Sequence, residues 1–149
     1  FGALKRFKAD YRVIPAVTFT HPEVARVGLN QDEARRQGIA FEVSRFELEE
    51  LDRAITADER EGFVEVLTVP GKDTILGVTI VASHAGEMLA EFTLAMRHGL
   101  GLKKILGTIH PYPTWSEAAK YVAGVWQKAH APEAALRWSA RYHRWQRGG

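Results

Sequence analysis

The stretch Phe63-Val-Glu-Val-Leu-Thr-Val69, Pro70-Gly71-Lys72-Asp73, Thr74-Ile-Leu-Gly-Val-Thr-Ile-Val-Ala82 decides the fold class. β-Branched and aromatic residues dominate both halves and a turn-forming cluster joins them, so the two halves are expected to pair as an antiparallel hairpin. Both strands are nearly continuous in apolar residues. That pattern calls for cover on two faces, one beneath helices and the other beneath something else, such as a second subunit. From Ser83 the period changes: Met88, Leu89, Phe92, Ala95 and Met96 fall on one helical stripe that ends at Gly99. A helix is expected to pack beside the sheet.

Working outward, Val13 to Thr20 reads as a strand, His21-Pro22-Glu23 as a turn and Val24 to Leu29 as a second strand. Asn30 and Glu33 form the sequence pattern of a capping box ahead of a short helix that stops at Gly38. Ala40 to Leu48 alternates as a strand, with Phe41 and Val43 set against a solvent side of Glu42 and Ser44. The charged run Glu49 to Glu61 is expected to be irregular or briefly helical and to stay out of the core. A helix is expected from near Thr114 to about Lys128, and another from Pro132 toward Trp145. The fold class is α+β, an antiparallel sheet with helices packed beside it. Residues 1–12 form a basic lead-in, 13–128 one domain, and 129–149 a basic aromatic helical extension.

Composition sets the limits. The chain has 149 residues, 46% of them hydrophobic and 26% charged, as in one globular domain with a proper core. Net charge is +2, yet residues 129–149 hold four arginines against one glutamate, so the basic balance belongs to the tail. With no cysteine there is no disulfide framework, thiolate nucleophile or cysteine-ligated metal on this chain, and a reducing, cytoplasmic setting is expected. No apolar run approaches the ~20 residues of a membrane span and no secretory signal is visible. Phe1 stands where a methionine would start a chain, which points either to processing or to a piece of a longer polypeptide.

Common chemical motifs are missing. There is no Gly-x-Gly-x-x-Gly turn, since Gly99-Leu-Gly101 lacks the third glycine, and no Gly-x-x-x-x-Gly-Lys-Ser/Thr loop. Neither His-Glu-x-x-His nor Gly-x-Ser-x-Gly occurs, and the six histidines are spread singly. Glu87 and Glu91, four apart on one helix, read as a polar stripe beside its apolar face. His21, His84, His98, His130 and His143 have no paired carboxylate at a telling spacing. The tail sets Trp138, Tyr142 and Trp145 beside Arg137, Arg141 and Arg144, which reads as a packed helix with snorkelling arginines. Nucleic-acid binding is not expected, nor is contact with a membrane surface.

One stretch is specific: Ile109-His110-Pro111-Tyr112-Pro113-Thr114-Trp115-Ser116-Glu117. It resembles the His-Pro-Thr-x-x-Glu signature near the C-terminus of the pyridine-nucleotide-disulfide oxidoreductases, flavoenzymes such as dihydrolipoamide dehydrogenase, glutathione reductase and mercuric reductase. Further motifs agree in order: Val13 to Glu23, Ala25-Arg-Val-Gly28, Glu61-Gly-Phe63, Ile75-Leu-Gly77 and Ala85-Gly-Glu87. The resemblance implies a C-terminal dimerisation domain that follows FAD- and NAD(P)H-binding domains on the intact chain. It implies a homodimer, FAD and NAD(P)H in the full-length protein, and neither cofactor bound by this piece alone.

In that family the histidine before Pro-Thr is held by the glutamate five residues later. It reaches the partner's flavin and redox cysteine pair, acting there as acid and base toward a thiolate. Matching Pro113-Thr114 and Glu117 puts Tyr112 at that position, whereas matching His110-Pro111 leaves a seven-residue gap to Glu117 and breaks the spacing. Tyr112 and Glu117 are thus the leading site residues, and His110 reads as a hydrogen-bonded structural histidine and a lesser candidate. Tyrosine, with an ordinary pKa near ~10, is a poor thiol proton shuttle but a good hydrogen-bonding group. A tyrosine there resembles mercuric reductase, although the C-terminal cysteine pair of those enzymes is absent. Two plainer readings stand beside this one: Thr114-x-x-Glu117 is also a capping box, and Tyr112 suits an interface aromatic. An autonomous homodimeric scaffold or binding module without catalysis is the alternative, and a DNA or membrane-surface binder working through the arginine tail a weaker third.

Overall fold

The computed structural model describes residues 11–131. A 3-10 turn, Tyr11–Val13, leads into β1 (Ala16–Thr18) and β2 (Glu23–Gly28), followed by helix α1 (Gln31–Arg36) and β3 (Glu42–Glu47). A second 3-10 turn, Leu48–Glu50, precedes α2 (Asp52–Ala57), then come β4 (Phe63–Thr68), β5 (Ile75–Ala82), α3 (Ala85–Arg97), α4 (Leu102–Leu106) and α5 (Glu117–Ala129). The five strands form one sheet in the order β1-β2-β5-β4-β3, with every neighbouring pair antiparallel. The expected hairpin lies at its centre, as β4 and β5 pair from Phe63↔Val81 to Thr68↔Ile75.

Helix α3 packs on β2 and β5, and α5 on β3 and β4, so together they cover one face of the sheet. Val64, Val66, Val78, Ile80, Ala25 and Val27 point into that layer with at most 1% exposure, meeting Leu89, Phe92, Val122 and Trp126 from the helices. Each large side chain so buried stabilises the fold by about 1.5–3 kcal/mol. The other face is buried only in part, at Leu67 of β4, which alternation sets on that side and which is fully buried. It holds Arg26, Arg45 and Glu65; Gln31 bonds to Glu65 and Glu33 pairs with Arg26, setting α1 beside them, while the Arg45 guanidinium lies 3.6 Å from the Phe63 ring centre. Polar groups thus occupy positions that alternate with the core side chains.

Three expectations are corrected. In β3 the buried side is Ser44 and Phe46, and Val43 is 43% exposed, the reverse of the expected alternation. Phe46 stacks on Tyr121 of α5 at 5.1 Å, and because side chains alternate strictly, that contact fixes the face of every residue in the strand. The charged run Glu49 to Glu61 does enter the core: Leu51 and Ala54 are fully buried. Only residues 16–18 of the first expected strand pair, and the five-residue helix α4 was not foreseen. The helix expected from Pro132 onward lies outside the described residues.

Where β2 leaves the sheet, Gly28 pairs with Gly77 of β5. A Cβ on Gly77 would run into the main chain of Leu29, so two strands pass there without room for a side chain. Gly99, at φ +66°, closes α3 in the left-handed conformation that glycine adopts freely.

Candidate functional site

The signature stretch is the connection from α4 to α5. Its leading tyrosine is placed outward: Tyr112 is 68% exposed, and its hydroxyl donates a 2.8 Å hydrogen bond to Asp52 Oδ2. Asp52 is the first residue of α2, sixty positions earlier, and the buried Leu51 and Ala54 on either side of it anchor that helix to the core. The Tyr112 pKa is raised above 10, first by the hydrogen bond to Asp52 and then by the negative charge of that carboxylate, with Glu117 and Tyr121 adding to the effect. Tyr112 is therefore a protonated phenol at neutral pH. The Tyr112-Pro113 peptide bond is cis.

Glu117, at the start of α5, is 3% exposed. Its Oε2 accepts a 3.1 Å bond from the Thr114 backbone N–H, which is half of the expected capping box. The other half is absent, because the Thr114 hydroxyl donates instead to the Pro111 carbonyl at 2.7 Å and lies 2.8 Å from the Ser116 hydroxyl. A carboxylate beside the first turn of a helix is favoured by the unpaired N–H groups there. Glu117 thus shapes the turn that carries Tyr112, while the tyrosine hydroxyl itself is held by Asp52.

His110 belongs to the same connection and serves as its anchor. Its imidazole is 4% exposed, with Nε2 lying 3.0 and 3.1 Å from the two carboxylate oxygens of Glu91 on α3, and Nδ1 lying 3.1 Å from the Thr108 carbonyl. Both ring nitrogens face oxygens that can only accept. Glu91, expected as part of a solvated stripe, has a specific partner. A similar pair, His130 with Glu42 at 2.9 Å, joins the end of α5 to β3, with the ring stacked on Trp126 at 4.2 Å. Neither carboxylate partner could be found by spacing, since 19 and 88 residues separate the pairs.

The structure thus gathers Asp52, Tyr112 and Glu117 on one edge, where α2 meets the start of α5, and sets His110 behind them. Comparison with known proteins gives the family. A pattern described as "Pyridine nucleotide-disulphide oxidoreductase, dimerisation domain" matches residues 14–123. The chain belongs to this family.

Among curated members, it is 43% identical over 109 residues to "Dihydrolipoyl dehydrogenase, mitochondrial" of Caenorhabditis elegans, covering 73% of this chain and 22% of that one. It is 41% identical over 114 residues to the Dictyostelium discoideum protein of the same name, covering 76% and 23%. The solved structure of LpdA from Mycobacterium tuberculosis superposes with a TM-score of 0.72 at 25% identity, over 77% of this chain and 25% of that one. The chain spans less than a quarter of the length of the curated relatives it matches, and the match falls on the dimerisation domain of the family. No helix among the described residues is long and apolar enough to cross a membrane.

Proposed function

We propose that this chain is the dimerisation domain of an FAD-dependent NAD(P)H oxidoreductase, and that in the homodimer it presents Tyr112 and Glu117 to the partner's flavin and redox-disulfide site. The family match over residues 14–123 carries this reading. The surface supports it: beside the Tyr112 edge Ile109 is 96% exposed, and on the outer side of α3 Leu94 is 59% exposed next to a groove of about 480 Å³ lined by Pro15, Val17, Leu89 and Ala90. Exposed apolar groups in such number suit a contact with another chain. Residues 13–128 are the domain, residues 1–12 lead in from the FAD and NAD(P)H domains, and 129–149 extend it; the location is cytoplasmic.

A Cβ on Gly28, Gly62 or Gly77 would meet backbone of this domain, so these glycines leave no cradle for phosphates. FAD and NAD(P)H would be held by the upstream domains. This chain contributes an exposed, protonated phenol at the point where the resemblance puts a histidine. A phenol held protonated is suited to hydrogen bonding rather than to moving a proton near neutrality, which weighs against thiol proton shuttling of the glutathione-reductase type.

The experiment begins with the parent reading frame. NAD(P)H oxidation by the full-length protein is then measured with lipoamide, mercuric ion and a quinone as acceptors. Tyr112→Phe lowers turnover with the true acceptor by about tenfold. Unchanged kinetics in that variant, or a parent frame without flavin-binding sequence, would sink the proposal.

A further inference from the structure

We propose that Asp52 is the positioning residue for Tyr112, in the place that the family resemblance gives to Glu117, and that it leaves the phenol oxygen as a hydrogen-bond acceptor toward whatever approaches. The inference rests on the reading that Tyr112 serves the partner's site. Its ground is the division of labour between two carboxylates. The side chain of Glu117 is taken up by the Thr114 N–H and lies buried under the turn. The Tyr112 hydroxyl donates to Asp52 at 2.8 Å. A phenol has one proton to give, so with that proton committed to Asp52 only lone pairs face outward.

A chemical preference follows. An S–H, an N–H or a hydrated cation meets an acceptor at Tyr112, whereas a thiolate or other anion meets no donor and the negative charge of Asp52 behind it. The groups that face the phenol are Asp52 from α2 and Glu117 and Tyr121 from α5, and each opposes formation of a phenolate. Asp52 is well placed for this role, since α2 is fixed by Leu51 and Ala54 and the carboxylate itself is exposed and free of core packing. Sequence spacing gave no sign of the pair.

The test uses the full-length enzyme, with Asp52→Asn, Asp52→Glu, Glu117→Gln and Tyr112→Phe. Ionisation of Tyr112 is followed by NMR of protein labelled with ¹³C-tyrosine, the signal being assigned by its loss in Tyr112→Phe. Turnover of lipoamide or mercuric ion, whichever the enzyme reduces, is recorded against pH. Asp52→Asn is expected to lower the pH at which Tyr112 ionises and to cut turnover about fivefold, with partial recovery in Asp52→Glu. Combined with Tyr112→Phe it should cost nothing further. The proposal is overturned if Asp52→Asn leaves the ionisation and the pH profile unmoved, or if Glu117→Gln moves them more. Loss of turnover in Tyr112→Phe without any effect of Asp52→Asn defeats the Asp52 inference alone. Full turnover in Tyr112→Phe defeats the underlying reading.

Discussion

Tyr112 and His110 stand two residues apart in one connection and do opposite things. The tyrosine projects into solvent with its hydroxyl on Asp52, and the histidine turns inward onto Glu91. The inward residue fixes the outward one, because the connection cannot move without breaking a buried, charge-assisted contact. His110→Ala removes that anchor and leaves the Thr108 carbonyl and the Glu91 carboxylate without their partner. It is expected to cost about 2 kcal/mol in urea unfolding, and a loss under about 0.5 kcal/mol would show that the anchor is idle. The motif was legible in the sequence. The partners Asp52 and Glu91 were not, since chain spacing says nothing about contacts made by folding.

At the scale of elements, local rules performed best where the partners lie within one turn. The capping box at α1 is complete: Asn30 accepts from the Glu33 N–H at 2.8 Å and Glu33 accepts from the Asn30 N–H at 3.1 Å. Asn30→Ala should cost about 1 kcal/mol by urea unfolding. The Glu33 pKa is lowered below 4.5, first by the Asn30 backbone bond and then by Arg26. A lowered carboxyl stabilises the fold above its unfolded pKa and loses that effect as pH falls through the folded value. The stability gap between the wild type and Glu33→Gln should therefore be largest at pH 7 and shrink by pH 3; a gap that stays constant or widens would contradict the assignment. Gly77→Ala tests the β2 to β5 contact, where a methyl group meets the Leu29 main chain, and a loss of about 2 kcal/mol or more is expected. Elements whose burial depends on a distant neighbour were misread: β3 on its inner face and α2 within its acidic run.

For the whole molecule, the family shown by the match is one named for dimerisation, and the proposed contact is tested at the apolar groups left outside the core. Leu94→Glu places a charge on the exposed side of α3 without touching the core. By sedimentation equilibrium it should weaken the dimer of the full-length protein about tenfold or more, whereas an unchanged constant would move the contact elsewhere. The sequence by itself determined the α+β class, the central hairpin, the apolar stripe of α3, the α1 cap and the signature around Tyr112, because each is written in a local period or a short spacing. Tertiary structure alone decided which face of β3 is inward, that Leu51 and Ala54 enter the core, and that Asp52 and Glu91 hold Tyr112 and His110. Those outcomes depend on side chains brought together from distant parts of the chain, and the energy that selects among them exists only once the layers have packed.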